Sequence, residues 1–342
     1  MKLFKAGIVG CGNMGGRYDE RDKDDNVYTH AGMYSRIDEF DLVCAADNNE
    51  RRLQKFGQFW KVPHLYKDYR KMFKNERLDI VSIATPDESH HKIILDAVEF
   101  LLPRIIFTEK PLATNLKSAI ETYEACRKGN VNLVVDYVRR WDKNHQLIKD
   151  FFHKESLGSI QTVVGYYVRG LNHNGCQMIN LIQFLFGEIT NVQVLGDINL
   201  GSLNGDPSIN LYCSLEDGTP VYIISLDQKG YGFSIYEMDV FGKEGRLRLL
   251  NGGQKMELYK TSPDSQFPNF KNLRRTNLPL EKNTYGSAMI RAGDQFVSFL
   301  NNKTDFLHNT ALDAIGDLYV IEAALDSASN KNSRTPVKNS YK

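Results

Sequence analysis

Short apolar runs alternate with helix-like segments through the first 135 residues of this 342-residue chain. The runs are continuous in apolar character, which is typical of strands buried on both faces of a parallel sheet. The segments between them have the apolar spacing of helices that cover a sheet. The pattern therefore predicts repeated βα units in a doubly wound, Rossmann-type parallel sheet. The predicted strands are 6–9, 42–46, 80–84, 105–108 and 133–135, and the predicted helices are 51–59, 91–100 and 116–128.

After about residue 140 the pattern changes to one helical segment followed by strand-like runs with turn residues between them. Such turns favour hairpins, so a second α/β domain with a large, mostly antiparallel open sheet is predicted. Two late helices, 288–300 and 311–328, complete this predicted domain. The predicted domains are 1–138 and 139–330, with a mobile tail at 331–342. The helix is 174–186, and the strands are 161–169, 192–198, 209–214, 221–226, 236–241 and 246–250.

Two segments are predicted to be loops. In residues 17–26, eight of ten residues are charged, which favours a solvated insertion. Residues 261–284 carry three prolines and are predicted to be an irregular loop, long enough to fold over a cleft.

Composition limits the class of protein. The 43 Lys and Arg residues nearly cancel the 42 Asp and Glu residues, so no basic field exists to hold nucleic acid. No run approaches the roughly 18 apolar residues that span a bilayer, and the apolar start is too short for a signal peptide. The five cysteines are odd in number and lack CxxC spacing, so neither disulfides nor a metal site are expected, and a cytoplasmic location is predicted.

A glycine-rich turn, GCGNMG, directly follows the first predicted strand. Gly10 suits a tight turn, Gly12 the approach of a pyrophosphate and Gly15 close packing of a helix, with Asn13 and Met14 between them. This spacing in this context predicts a dinucleotide site.

An acidic residue at the end of the second strand, Asp47 in LVCAAD, fits the partner of the ribose hydroxyls. Its charge would repel a 2′-phosphate, so NAD is predicted, with NADP as the alternative because Arg51 and Arg52 follow closely. The spacing from Gly15 to Asp47 is long, and the charged insertion accounts for part of the excess.

Two further motifs follow later strands, ATPDESH at 84–90 and FTEKPLA at 107–113. Together with GCGNMG and LVCAAD, they resemble the Gfo/Idh/MocA oxidoreductases, which include glucose-fructose oxidoreductase and inositol dehydrogenase. The resemblance covers nearly the whole chain, more strongly in the first domain. It implies hydride transfer between a nicotinamide cofactor and a sugar, a cyclitol or a derivative, including phosphate- or nucleotide-linked sugars.

The resemblance also implies roles for individual residues. Thr85, Pro86 and His90 would lie near the nicotinamide, Glu109 and Pro111 would shape a turn, and Lys110 would lie in the active site. Physically, the proline restricts the backbone and aims the lysine from a strand end. A positively charged nicotinamide beside Lys110 would favour the neutral form of the lysine amine, which suits proton exchange near neutral pH.

In the second domain, Arg139 and Arg140 resemble the arginine-bearing segment of the family and are candidates to bind substrate. The next match, HNGCQMINLIQFLFGE, departs from the family pattern D-x-G-x-H-x-x-D at all three positions, where His173, Gln177 and Asn180 stand. These residues form a polar stripe away from an apolar one, facing either substrate or solvent.

Lys110 is the first candidate for the acid or base, His173 is the second, and Gln177 is a hydrogen-bonding group that orients the substrate. Tyr137 and Tyr167 are alternatives, and Asn180 is a candidate substrate ligand. Two other functions fit the same pattern. One is a nucleotide-binding regulator or scaffold without turnover, and the other is a dehydratase or glycosidase with tightly bound NAD. A homo-oligomer, a dimer or tetramer, is expected because the open face and the edges of the sheet in the second domain must be covered.

Overall fold

The computed structural model describes residues 3–20, 26–203, 205–227, 230 and 236–341, and for 199–203 only the backbone is described. The strands are β1 (Phe4–Val9), β2 (Phe40–Ala46), β3 (His64–Tyr66), β4 (Ile80–Ile83), β5 (Ile105–Thr108), β6 (Asn132–Val135), β7 (Ile160–Tyr167), β8 (Ile189–Leu203), β9 (Asp206–Leu215), β10 (Pro220–Ser225), β11 (Met238–Gly242), β12 (Gly245–Leu250), β13 (Lys255–Pro263), β14 (Lys271–Thr276) and β15 (Thr335–Pro336). The helices are α1 (His30–Arg36), α2 (Glu50–Trp60), α3 (Tyr69–Asn75), α4 (His90–Phe100), α5 (Leu116–Lys128), α6 (Lys143–His153), α7 (Cys176–Phe186), α8 (Ala288–Leu300) and α9 (Ala311–Ser329).

The chain divides into two compact units. The first consists of Met1–Lys143 and Lys282–Ile315, and the second of Asn144–Glu281 and Gly316–Lys342. This differs from the division predicted from sequence, because α8 belongs to the first unit. The physical reason is packing: Gly293 in α8 leaves room for Met33 and Ile37 of the first unit, and Phe296 is buried in the same core.

The first unit contains a six-stranded sheet in the order β3-β2-β1-β4-β5-β6. Every pair in it is parallel. The predicted doubly wound sheet and its five predicted strands are therefore confirmed. The short strand β3 at the edge was not predicted, since its three residues are flanked by polar sequence.

The helix that usually follows a glycine fingerprint is a five-residue π-helical turn here, Asn13–Arg17. Beyond it lies the charged insertion, of which residues 21–25 fall outside the described residues. The Asp19 carboxylate joins its two sides, accepting hydrogen bonds from the backbone of Tyr28 and from the backbone and hydroxyl of Thr29. Helix α1 then begins with Thr29 as its N-cap.

The second unit contains a nine-stranded sheet in the order β14-β13-β12-β11-β7-β10-β9-β8-β15. Its pairs are antiparallel apart from β7 with β10, so the predicted mostly antiparallel sheet is confirmed. Helix α7 packs on β7, where Gly165 lies beneath Met178 with no room for a side chain.

The irregular loop predicted for 261–284 is wrong at residues 261–263 and 271–276, which lie in strands. Residues 261–263 end β13, and β14 pairs with β13 from Leu258–Thr276 to Pro263–Lys271. Proline is tolerated there because Pro263 lies at a strand end and the other two lie outside the strands.

In the tail, Thr335 and Pro336 pair with Val192 and Asn191 of β8, a contact that the polar sequence did not indicate.

Candidate functional site

Four motifs lie at one edge of the six-stranded sheet. The fingerprint turn follows β1, Asp47 follows β2, Thr85 follows β4, and Lys110 follows β5. Because parallel strands end at the same edge, these motifs lie together in the first unit. The strand order changes direction between β1 and β4, and ligands of open α/β sheets bind at such a point.

The glycines of the fingerprint have the geometry that a dinucleotide requires. Gly10 has a φ of +97°, and a side chain there would overlap the carbonyl group of Ala84. A side chain on Gly15 would overlap the carbonyl oxygen of Gly10, so only glycine allows this packing. A Cβ on Gly12 would meet nothing within 4 Å, which leaves the space above that backbone open for a ligand.

Asp47 lies against the fingerprint turn and accepts hydrogen bonds of 2.8 Å from the backbone N–H groups of Cys11 and Asn49. Arg52 donates two more, of 2.7 Å each, from Nε to Oδ2 and from Nη2 to Oδ1. Burial alone would raise the pKa of Asp47, but the hydrogen bonds from Arg52, Asn49 and Cys11 and the charge of Arg52 together lower the pKa. Asp47 is therefore an ionised acceptor at neutral pH.

His90 connects two of the loops at this edge. Its Nε2 lies 2.8 Å from the carbonyl oxygen of Thr85, and its Nδ1 lies 2.8 Å from the carbonyl oxygen of Pro111. The ring is fully buried at the start of α4. His90 thus connects the Thr85 backbone to the backbone of Pro111, the residue after Lys110, and the Lys110–Pro111 peptide bond is cis.

A buried polar cluster lies beside Lys110. The Nε2 atom of His30 is 3.4 Å from Oε1 of Glu109 and 4.0 Å from Oδ2 of Asp136. Oxygen atoms of the Glu109 and Asp136 carboxyl groups lie within 4.8 Å of each other. On the other side of the imidazole, Nδ1 lies 3.0 Å from the Ser82 hydroxyl. Lys110 itself is partly exposed.

Asp136 is the titratable group most affected by this environment. Burial raises the pKa of Asp136 well above its usual range, and the charge of Glu109 raises it further, whereas the charge of Lys110 acts in the opposite direction. A carboxyl group in such surroundings holds its proton at a pH where an exposed aspartate has lost it.

His30, Glu109 and Asp136 are also a potential set of metal ligands. Among the described residues, they form the group of histidine, cysteine and acidic side chains whose ligand atoms all lie within 4.8 Å of one another. The expectation from sequence, that the protein holds no metal, stays a prediction.

The two arginines predicted to bind substrate lie in a 3₁₀ turn, Val138–Trp141, of the first unit. Arg139 is buried, and its guanidinium group lies over the ring of Tyr285. The Nη1 atom of Arg140 is 2.7 Å from a carboxylate oxygen of Asp313. Both side chains therefore have partners within the protein.

The candidate residues of the second unit have different surroundings. His173 lies in a π-helical turn, Leu171–Gly175, and not on α7 itself; its backbone N–H donates to Asp206 at 2.8 Å. The amide of Gln177 donates to the hydroxyl of Tyr236 at 2.7 Å. His173 and Gln177 are partly exposed.

Asn180 is buried, and its amide donates to Asp317 at 2.7 Å. Asp317 accepts another hydrogen bond, of 2.9 Å, from Gln183. The polar stripe predicted from sequence therefore divides into accessible and buried members, and Asn180 joins α7 to α9. Its predicted contact with substrate stays a prediction. Tyr167, an alternative acid or base, is fully buried and exchanges hydrogen bonds with the backbone of Ile209.

Sequence reasoning missed His30 and Asp136. Asp136 had a usable signal, because it directly follows a predicted strand and so lies at the same sheet edge as Glu109. His30 had no such sequence signal, since it follows a charged insertion and lies outside the four motifs.

A family model matches the first part of the chain. Residues 4–137 match the model of the oxidoreductase family with an NAD-binding Rossmann fold, known as Gfo/Idh/MocA. This segment is therefore similar to the NAD-binding domain of the Gfo/Idh/MocA oxidoreductases. The resemblance drawn from the four motifs is thereby confirmed, and so are the NAD cofactor and the class of NAD(P)-dependent oxidoreductase.

The sequence similarity to known proteins extends beyond the Rossmann segment. The D-apiose dehydrogenase of Paraburkholderia graminis is 25% identical over 269 residues, which are 73% of this chain and 68% of that protein. The myo-inositol 2-dehydrogenase of Thermotoga maritima is 21% identical over 267 residues, which are 71% of this chain and 74% of that protein.

Among solved structures, levoglucosan dehydrogenase in complex with NADH and levoglucosan has a TM-score of 0.80. The sequences are 17% identical, and the match covers 99% of this chain and 100% of the other. The fold of the chain is therefore similar to that of levoglucosan dehydrogenase. Among the described residues, helices long and apolar enough to cross a membrane are absent.

Proposed function

We propose that this protein transfers a hydride between NAD and a hydroxyl-bearing or keto carbon of a sugar, a cyclitol or a derivative of one, including phosphate- or nucleotide-linked sugars. The observation that carries the proposal is Lys110, which follows β5 at the sheet edge where the open Gly12 turn and Asp47 lie. An amine at that edge can exchange a proton with a hydroxyl group near the cofactor.

Separate residues of the chain would bind the separate parts of the cofactor. The backbone of Gly10, Gly12 and Gly15, with Asn13 and Met14, would receive the pyrophosphate, and Asp47 would accept hydrogen bonds from the ribose. The cofactor, when bound, accepts or supplies the hydride.

Thr85, Pro86 and His90 would shape the nicotinamide side, since His90 fixes the Thr85 backbone relative to Pro111. Lys110 would take the hydroxyl proton on oxidation and return it on reduction. We propose NAD rather than NADP because Asp47 is ionised, and its charge would oppose a 2′-phosphate.

The substrate class rests on the relatives. Proteins similar to this chain are named D-apiose dehydrogenase, myo-inositol 2-dehydrogenase and levoglucosan dehydrogenase. Arg139 and Arg140 are proposed to bind an anionic part of a substrate. The pairing of Arg140 with Asp313 makes neutral sugars the first choice for a test.

His173 and Gln177 are proposed as a second acid or base and as an orienting group. The proposal rests on their chemistry and on their partial exposure, because an imidazole can give or take a proton, whereas an amide can only donate and accept hydrogen bonds.

The test is stopped-flow absorbance of the NAD-loaded protein mixed with sugars, cyclitols, sugar phosphates and nucleotide sugars. We expect NADH formation with at least one class, and its loss in Lys110→Met. Lys117→Met, an exposed lysine on α5, is the matched control and should keep full activity. Conversion of substrate without net NADH would instead support a dehydratase or glycosidase with bound NAD. Tight NAD binding without any conversion would support a regulator.

An oligomer is proposed from one exposed feature of the second unit. Tyr222 and Tyr212 form an edge-to-face pair across β9 and β10, on the sheet face opposite to buried Val221 and Ile223. We expect sedimentation to give a multiple of the 39.0 kDa chain mass, and a Tyr222→Glu variant to give the single chain. The cytoplasmic location stays a prediction.

A further inference from the structure

The backbone that leads to His173 has an uncommon conformation. His173 lies in the π-helical turn Leu171–Gly175, and the two residues before that turn have positive φ angles, +66° at Arg169 and +80° at Gly170. Left-handed backbone is costly for a residue with a side chain, so the surrounding structure must hold Arg169 in place. The groups that hold this segment have no role in the proposed mechanism so far.

Asp206, the first residue of β9, binds the turn through both carboxylate oxygens. Oδ1 accepts a hydrogen bond of 2.9 Å from the backbone N–H of Asn172, and Oδ2 accepts one of 2.8 Å from the backbone N–H of His173. The first N–H groups of a helical turn lack acceptors within the helix, and Gly170, as the N-cap, has no side chain to supply one. The Asp206 carboxylate therefore caps the turn from β9.

The same carboxylate explains the glycine before the turn. A side chain on Gly170 would overlap the carboxylate group of Asp206, so only glycine allows this contact. The backbone N–H of Gly170 donates to the hydroxyl of Ser208, also on β9, at 3.2 Å. Its carbonyl oxygen accepts hydrogen bonds from the backbone N–H groups of Asn174 and Gly175. The peptide groups of Gly170 thus join the turn to β9.

The side chain of His173 is partly exposed, whereas its backbone N–H is bound. The side-chain torsions of a histidine start from its backbone, so the backbone sets the region that the imidazole can reach. A catalytic group must be held within about 0.5 Å of its productive position. A larger movement of the turn would take the imidazole out of hydrogen-bonding reach of a hydroxyl group.

We propose that Asp206 is a positioning residue for His173: its carboxylate fixes the backbone of the turn from β9 and so places the imidazole where a substrate hydroxyl group meets it. The catalytic consequence rests on the proposed function of His173 as a second acid or base, whereas the hold on the turn does not. In a turn without this hold, only a fraction of the molecules would have the imidazole ready for proton transfer.

The conservative variant for the test is Asp206→Asn. Asparagine has one acceptor oxygen in place of two, so it can hold only one of the two backbone N–H groups. The matched control is Asp217→Asn, because Asp217 follows the other end of β9, and its Oδ1 accepts a hydrogen bond of 2.9 Å from the backbone N–H of Thr219. Circular dichroism and thermal unfolding show first that both variants are folded.

The first measurement is hydrogen–deuterium exchange of the full chain without substrate, read at single amides. The amide protons of Asn172 and His173 should be protected in the wild type and in Asp217→Asn. In Asp206→Asn at least one of them should exchange about tenfold faster, because it has lost its acceptor. Unprotected amides in the wild type, or equal protection in Asp206→Asn, would overturn the proposal.

The second measurement asks whether Asp206 acts through His173. Where a substrate is found, Asp206→Asn should lower kcat per folded molecule about tenfold and leave KM within about twofold, whereas Asp217→Asn should change neither. In a His173→Ala background, Asp206→Asn should lower kcat no further, because the group that it positions is gone. A merely structural role would produce the same loss in both backgrounds, and that result would overturn the proposal.

Hydrogen exchange needs no substrate, so the hold on the turn and the proposed function fail separately. Faster exchange in Asp206→Asn, together with an unchanged kcat in His173→Ala, would keep the hold on the turn but overturn the positioning of an acid or base. Faster exchange without turnover in any of the proteins, the wild type included, would remove the proposed dehydrogenase and with it the catalytic role of Asp206.

Discussion

Arg52 holds Asp47 through two hydrogen bonds of 2.7 Å, Nε to Oδ2 and Nη2 to Oδ1. This pair lies at the place where an adenosine ribose is expected in a Rossmann fold. The carboxylate suits the hydroxyl groups of NAD, and the guanidinium group next to it suits the 2′-phosphate of NADP. The preference between the two coenzymes therefore depends on both residues.

The first prediction distinguishes the roles of Asp47 and Arg52 in the choice of coenzyme. In Arg52→Gln, the Kd for NADP should rise about tenfold, because a forked contact to phosphate is lost, and the Kd for NAD should change less than about threefold. Lys55→Gln is the control, since Lys55 is an exposed cation of the same helix. Isothermal titration of each variant with both coenzymes gives the answer. Equal losses for NAD and NADP would show that Arg52 only supports the fold.

The second prediction concerns acid unfolding. The folded-state pKa of Asp47 is lowered, so its contribution to stability is complete above the unfolded value of about 3.9 and is lost as the pH falls through the lower folded value. Without Arg52 the pKa of Asp47 should rise towards its usual range.

Arg52→Gln should therefore unfold at a higher pH than the wild type. Near neutral pH its free energy of unfolding should fall by about 0.5 to 1 kcal/mol, a small value because the arginine side chain is 43% exposed. Circular dichroism followed during acid titration measures both effects, and Lys55→Gln should show neither.

Much of the first unit was predictable because its signals are local. The continuous apolar runs and the glycine spacing gave the parallel sheet and the dinucleotide turn, and each strand end carried its motif. The place of α8 was not predictable, because an apolar stripe does not specify which core it packs against. In the structure, Gly293 packs against Met33 and Ile37, and Phe296 is buried in the same core.

At the candidate site, too, only residues that stand in a local motif could be predicted from the sequence. Lys110 and Asp47 stand in motifs, whereas the His30–Asp136 contact joins residues 106 positions apart and has no sequence pattern. The hairpin of β13 and β14 was missed because the three prolines of residues 261–284 suggested a loop. Proline excludes only the positions that must donate a ladder hydrogen bond, and Pro263 occupies a strand end.

The third prediction contrasts two glycines of the fingerprint. Gly15→Ala should lower the free energy of unfolding by about 1 to 3 kcal/mol, because the added methyl group overlaps the carbonyl oxygen of Gly10. Gly12→Ala should leave stability unchanged, since its methyl group meets nothing within 4 Å, and should instead weaken NAD binding. Chemical denaturation and coenzyme titration of both variants separate the effects. Normal NAD affinity in Gly12→Ala would show that the pyrophosphate lies elsewhere.

The fourth prediction decides between two roles for Asn180. If it joins α7 to α9, Asn180→Ala removes a hydrogen bond to a buried oxygen of Asp317, and the free energy of unfolding should fall by about 1 to 3 kcal/mol. Turnover per folded molecule should then stay within about threefold of the wild type, because an effect on binding of one hydrogen bond to substrate would be tenfold or more.

Gln183→Ala is the matched variant, since Gln183 donates to the other oxygen of the same carboxylate at 2.9 Å and should lower stability in the same way. Denaturant titration and KM for the substrate are measured on all three proteins. A raised KM in Asn180→Ala but not in Gln183→Ala would return Asn180 to the substrate site, despite its burial, and would mean that α7 moves when substrate binds. Equal KM values with equal losses of stability would show that both side chains serve the packing of α7 on α9 through Asp317.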